Sequence, residues 1–231
     1  MHIKGFQGTS LLDFPGRIAA LLFTGGCNLT CPFCHNPGLV LDPGQYPDYP
    51  EETLLEELTN RRNFIDGVVI SGGEPTLEPG LLPFLHRLRE LELQIKIDTN
   101  GLRPDVLTAA LEQQLLDFVA LDLKTIPQRY PELHSGPVDP ALLIDSIALL
   151  RDADCELELR TTCVPDWVDH DTIKTLGELV KGAPLWALQQ FQGQHALDPD
   201  LHDAAPYPPK TIEEFAQIAA NYVENVITRG L

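Results

Sequence analysis

Short apolar runs alternate with longer amphipathic stretches along the chain. Ile18 to Phe23, Gly67 to Ser71, Gln94 to Asp98, Asp117 to Asp122, Glu156 to Thr162 and Leu185 to Gln190 are short and rich in Val, Ile, Leu or Phe. That pattern predicts strands buried in a parallel sheet. Between them, Pro50 to Arg62, Pro79 to Leu91, Pro104 to Gln114, Pro140 to Arg151 and His170 to Lys181 carry apolar residues at helical spacing, and Thr211 to Thr228 is expected to close the chain as a helix. Several of these stretches place proline in the first turn, where a missing N–H is harmless. Alternating strand and helix predicts βαβ units with right-handed crossovers. Six such units in 231 residues predict an α/β fold, a partial (β/α)6 barrel of parallel strands; a complete eight-unit barrel takes about 250 residues. An open doubly wound sheet is the alternative, and periodicity does not separate the two. The proline-rich stretches Pro37 to Pro50 and Asp198 to Pro209 read as loops, so residues 1–231 are expected to form one domain.

Composition narrows the function classes. Hydrophobic residues make up 43% and charged residues 22%, as in an ordinary folded chain. The net charge of −18 repels phosphate backbones and argues against nucleic-acid binding. No apolar run approaches the roughly 20 residues of a membrane helix, and Met1 to Gly16 does not resemble a signal peptide. A cytoplasmic location without a membrane partner is therefore expected, with cysteines kept as thiols or bound to metal.

Polar residues gather where each predicted strand ends. Gly25 to Cys34 follows the first strand, and Ser71-Gly72-Gly73-Glu74-Pro75 the second. Asp98-Thr99-Asn100-Gly101, Asp122-Leu123-Lys124, Arg160-Thr161-Thr162-Cys163 and Gln189-Gln190-Phe191 end the other four. In parallel α/β folds this edge hosts the active site.

Cys27, Cys31 and Cys34 form a CxxxCxxC cluster with no fourth cysteine nearby. Three close thiolates suit an iron–sulfur cluster of four irons, with one iron open to an external ligand. Zinc is the alternative, but structural zinc takes four ligands, and Cys34 with the adjacent His35 would strain one tetrahedral ion. Gly72 and Gly73 allow close backbone approach to a ligand, and Glu74 could accept from an ammonium group; alone, the same residues describe a turn with a solvated carboxylate. Asp122 and Lys124 share a strand face and read either as an ion pair or as contacts to a polar cofactor. Asp98 ends the neighbouring strand, and two close carboxylates need a cation between them. Cys155 and Cys163 match no metal spacing and read as small apolar fillers. The histidines other than His35 form no ligand pattern.

The cysteine loop, with Phe33 before the last cysteine, resembles the CxxxCxΦC signature of radical S-adenosylmethionine (SAM) enzymes, and Gly72-Gly73-Glu74-Pro75 resembles their GGE motif. Thr9 to Gly16, Cys34-His35-Asn36-Pro37, Asp98-Thr99-Asn100-Gly101, Asp122-Leu123-Lys124, Arg160-Thr161-Thr162 and Leu188 to Phe191 look like glycyl-radical-enzyme activases, above all the anaerobic ribonucleoside-triphosphate reductase activating proteins. The resemblance implies a partial barrel holding a [4Fe–4S] cluster on Cys27, Cys31 and Cys34. SAM would chelate the open iron and be cleaved to a 5′-deoxyadenosyl radical, which takes hydrogen from a glycine of a partner enzyme. It further implies that Gly72, Gly73 and Glu74 hold the methionine ammonium and that Phe33 lies near the adenine. Lys124 and Asp98 would meet the carboxylate or ribose, with Thr162 and Gln190 among the cofactor contacts. Asp98, Thr99 and Asp122 would bind a monovalent cation, and flavodoxin or ferredoxin would supply the electron. The sequence departs from pyruvate formate-lyase activases at Phe191, where those relatives carry histidine, and it lacks an inserted eight-cysteine module. Arg160 is the candidate for gripping the partner loop, with an internal ion pair to Glu158 as the alternative. A radical SAM enzyme acting on a small molecule or peptide is the competing function, and an iron–sulfur electron carrier is a more distant one.

Overall fold

The structure is a computed structural model that describes residues 1–134 and 136–231. One eight-stranded sheet runs in sequence order. Its strands are β1 (Ile3–Ser10), β2 (Ala19–Thr24), β3 (Gly67–Gly72), β4 (Gln94–Thr99), β5 (Phe118–Asp122), β6 (Glu156–Cys163), β7 (Leu185–Gln190) and β8 (Asn225–Arg229). β1 pairs antiparallel with β2, and every later neighbour pair is parallel. The six expected strands are therefore present, flanked by two that the pattern did not predict. The helices are α1 (Pro37–Leu41), α2 (Glu51–Arg61), α3 (Leu81–Arg89), α4 (Pro104–Glu112), α5 (Ala141–Arg151), α6 (His170–Leu179) and α7 (Pro209–Ala219). Six crossovers join β2 to β8, as in a partial barrel, and the sheet stays open because β1 and β8 are its edges.

The expected closing helix Thr211 to Thr228 is corrected. α7 stops at Ala219, where the Asn221 amide donates to the carbonyls of Gln217 and Ile218. Val226, Ile227 and Thr228 then enter the sheet beside β7, as a run of β-branched side chains favours. β1 escaped notice because Gly5 and Gly8 interrupt its apolar positions and its register with β2 is irregular. A side chain at Gly5 would crowd the Phe23 ring, its Cβ 3.1 Å away.

Strand alternation divides the core in two. Ala20, Leu22, Val68, Ile70, Ile95, Ile97, Val119 and Leu121 face the helices and join Leu54, Leu58, Phe84, Leu88, Ile173 and Phe215 in the main core. On the other face Phe14, Ala19, Leu21, Val69, Phe118 and Ala120 form a small separate cluster. The Phe14 and Phe118 rings meet edge to face at 5.6 Å. Ala19 and Phe118 are the first residues of their strands. The cluster thus plugs the N-terminal end of the inner face and leaves the C-terminal end to polar side chains. No helix among the described residues is long and apolar enough to cross a membrane.

Candidate functional site

A cavity of about 490 Å³ lies on the inner face at the C-terminal strand ends, within the size range of sites that enclose a small ligand. Gln7, Phe23, Gly72, Asp98, Asp122, Arg160, Thr162 and Gln189 bring seven consecutive strands to it, so the sheet curls around it. Cys27, Cys31, Cys34, Phe33, Gly73, Glu74, Thr99 and Lys124 also line it. The structure thus gathers the sequence-predicted site residues into one chamber, with one exception. Gln190 is absent from the lining and donates instead to the Tyr207 carbonyl at 2.8 Å, while Gln189 lines the cavity. Alternation along β7 explains the one-residue difference, since adjacent side chains take opposite faces. Phe191 is buried.

Backbone contacts fix the cysteine loop in place. The Gly73 N–H donates to Thr24 O at 3.0 Å and the Glu74 N–H to Gly26 O at 2.8 Å. A Cβ on Gly73 would sit 1.9 Å from Gly26 O, and one on Gly72 would sit 2.4 Å from Thr24 N. Gly72 also has φ +114°, outside the range of most side-chain-bearing residues. These glycines therefore admit the cysteine loop itself, a closer partner than the ligand foreseen from sequence. Further along, Pro32 O accepts from Asp198 N and Thr30 N donates to Leu133 O. The His35 ring meets Gln192 O at 2.8 Å. Phe33 packs edge to face on Trp167 with ring centres 5.8 Å apart.

Burial pushes the Cys27 thiol up to about 12 and the Cys31 thiol up to about 11. A metal bound by these thiols therefore displaces their protons. Among the described residues no three of His, Cys, Asp and Glu are grouped to hold one metal ion, whereas a cubane takes each cysteine on a separate iron. Three thiols at the rim of a polar chamber are a fitting donor set for such a cluster.

Glu74 is 1% exposed and already engaged. Its Oε1 accepts from the Thr76 N–H, the Thr76 hydroxyl and the Thr99 hydroxyl, and its Oε2 from the Asn100 N–H at 2.8 Å. Burial raises its carboxyl, and these donors work against that rise. The solvated carboxylate that the sequence also allows is thereby excluded, and Glu74 joins the β3 turn to the end of β4.

The two strand-end carboxylates do have a cation between them, and it is Arg160. Its Nε donates to Asp122 Oδ1 at 2.7 Å and its Nη1 lies 3.1 Å from Asp98 Oδ2. Lys124 Nζ donates to Asp122 Oδ2 at 2.8 Å, and Lys96 pairs with Asp98. Burial works to raise the Asp122 carboxyl, yet the guanidinium and ammonium hold it well below the ordinary carboxylate range. Burial likewise opposes the charged Lys124, but Asp122 keeps its ammonium above the usual lysine range. The internal pairing foreseen for Arg160 thus exists with different partners. Glu158 is taken by Arg229 through two hydrogen bonds of 2.9 and 2.6 Å. Of the two cysteines read as fillers, Cys163 is buried and Cys155 half-buried.

The Radical SAM superfamily profile matches residues 21–179. The chain belongs to that superfamily. It is 31% identical, over 99% of its own length and 96% of the relative's, to a Methanocaldococcus jannaschii protein named for glycyl-radical enzyme activation. It is 29% identical to the pyruvate formate-lyase-activating enzyme of Staphylococcus aureus, over 78% of this chain and 75% of that one. The chain is thus a radical SAM enzyme homologous to the activating enzymes of glycyl radical proteins. The fold also matches Streptococcus suis SuiB bound to S-adenosylmethionine, with TM-score 0.68 and 16% identity. That match covers 91% of this chain, which spans about half the SuiB length, 52%. A domain of a pyruvate-formate lyase-activating enzyme from Bacteroides vulgatus matches with TM-score 0.57 and 19% identity, over 71% of this chain and 99% of that one.

Proposed function

We propose that the chain is an activase that generates a glycyl radical on a partner enzyme, an anaerobic ribonucleotide reductase or another glycyl radical enzyme. The observation that carries this reading is the near full-length likeness to an activating-enzyme relative, together with a single chamber holding the three cysteines and the strand-end charges. When bound, a [4Fe–4S] cluster supplies the electron that splits a carbon–sulfur bond of SAM into methionine and a 5′-deoxyadenosyl radical, which becomes 5′-deoxyadenosine by taking a hydrogen atom from the partner's glycine.

The chain's own residues have separable parts in this proposal. Cys27, Cys31 and Cys34 ligate three irons. The Gly72–Glu74 edge receives the methionine ammonium, with Glu74 acting chiefly through the shape it gives that edge. Lys124 offers its ammonium to a carboxylate or ribose, Phe33 borders the adenine, and Thr162 completes the polar wall. Asp98, Thr99 and Asp122 form the proposed monovalent-cation site, although Arg160 already supplies positive charge to both carboxylates. Arg160 sets those carboxylates and faces the chamber that a partner loop would enter. A flavodoxin or ferredoxin is the proposed electron source.

Incubating the reduced protein with SAM and a candidate glycyl radical protein is expected to give a glycine-centred radical in that protein. 5′-Deoxyadenosine should form slowly without the partner. Failure with every glycyl radical protein of the host, alongside hydrogen transfer from a small molecule or peptide, would refute the activase reading.

A further inference from the structure

Asn100 directly follows β4 and is 5% exposed at the wall of the chamber. Its side-chain orientation is fixed by its neighbours. Oδ1 accepts from the Leu102 N–H at 3.0 Å, two residues on, in the manner of an Asx turn. Nδ2 must then face the other way, where it donates to Asn28 Oδ1 at 2.7 Å and approaches Cys27 Sγ at 3.7 Å. The Asn100 backbone is held by Glu74 Oε2, so the amide is anchored at both ends. A second donor, the Leu29 N–H, reaches the same sulfur at 3.4 Å.

Hydrogen bonds to the sulfurs of an iron–sulfur cluster are among the factors that set its potential. Reduction adds electron density that the cysteine sulfurs share. An N–H aimed at such a sulfur stabilises the reduced form more than the oxidised one. We propose that Asn100 is a positioning residue that raises the reduction potential of the cluster through its hydrogen bond to Cys27 Sγ. This inference rests on the reading of Cys27 as a cluster ligand.

Two variants separate tuning from construction. Asn100→Ser keeps an oxygen that can accept from the Leu102 N–H but is too short to reach the sulfur. Asn100→Asp keeps the turn and turns a carboxylate oxygen toward Cys27. The measurement is a redox titration of the anaerobically reconstituted full-length protein without SAM, followed by electron paramagnetic resonance, with iron content and circular dichroism on the same samples. Both variants are expected to load iron as the parent does. Asn100→Ser should lower the reduced-to-oxidised ratio at fixed potential about tenfold, equivalent to about 59 mV for one electron. Asn100→Asp should lower it further. Unchanged potentials at full iron content would overturn the inference while leaving the cluster reading intact. Variants that fold but take up no iron would overturn it too, by making Asn100 a builder of the loop. A parent protein that takes up no iron would refute the cluster reading itself.

Discussion

The Arg160 guanidinium donates through Nε to Asp122 Oδ1 at 2.7 Å, and its Nη1 lies 3.1 Å from Asp98 Oδ2. Three strands are thereby tied by one side chain, and the two carboxylates of the chamber are held in fixed positions. Replacing Arg160 by Met should leave those carboxylates facing each other with only Lys96 and Lys124 beside them. A stability loss of up to about 3–5 kcal/mol is expected from breaking a largely buried pair, read by denaturant unfolding. Arg160→Lys should recover only part of it, since one ammonium lacks the fork that spans both aspartates. A wild-type unfolding curve for Arg160→Met would show that the ion pairs contribute nothing.

The same network predicts a pH dependence. Asp122 is depressed below its unfolded value, so its contribution is present above the ordinary carboxylate pKa of about 3.9 and is lost as pH falls below it. Lys124 is raised, so its contribution is present below about 10.4 and is lost as pH climbs past that value. The stability difference between the parent and Asp122→Asn should therefore stay constant from about pH 5 to 9 and shrink toward pH 3. A difference that changes steeply near neutrality would point to another titrating group.

Gly73→Ala should keep the fold and disturb the cysteine loop. Its Cβ would lie 1.9 Å from the Gly26 carbonyl oxygen, a backbone atom with little room to yield. Circular dichroism close to the parent's, with iron uptake reduced several-fold, is the expected result. Full iron uptake would mean that the loop can move aside.

Lys124→Ala should load iron normally but bind SAM more weakly. Losing a charged hydrogen bond costs on the order of 1.5–3 kcal/mol, about one to two decades in affinity. Titration of SAM into the reduced protein, read from the cluster's spectrum, measures this. An unchanged affinity would move the cofactor away from β5.

The sheet was legible because β2 to β7 are short stretches rich in Val, Ile, Leu or Phe followed by polar strand ends, a signal that survives without tertiary information. β1 and β8 were not, because Gly5 and Gly8 dilute one and the other follows α7 after only a short turn. The chamber could be read from the cysteine spacing and the polar residues after each strand. The partners of Arg160 could not, because Asp98, Asp122 and Arg160 meet only across the register that pairs Asp98 with Ala120 and Asp122 with Arg160. The burial of Glu74 was not legible either, because its four donors come from Thr76, Thr99 and Asn100, two of them a full crossover away. The one signal that could have exposed this is Thr99 at the end of β4, whose hydroxyl is suited to donate into a buried carboxylate.

The central claim is that Cys27, Cys31 and Cys34 hold a cluster with one iron open to SAM. The most direct test is electron paramagnetic resonance of the anaerobically reconstituted, reduced protein, recorded with and without SAM and beside Cys31→Ala. The account predicts about four irons per chain, a reduced-cluster signal that changes shape when SAM is added, and neither signal nor change in Cys31→Ala. One zinc per chain with no iron uptake, or a cluster signal indifferent to SAM, would contradict it.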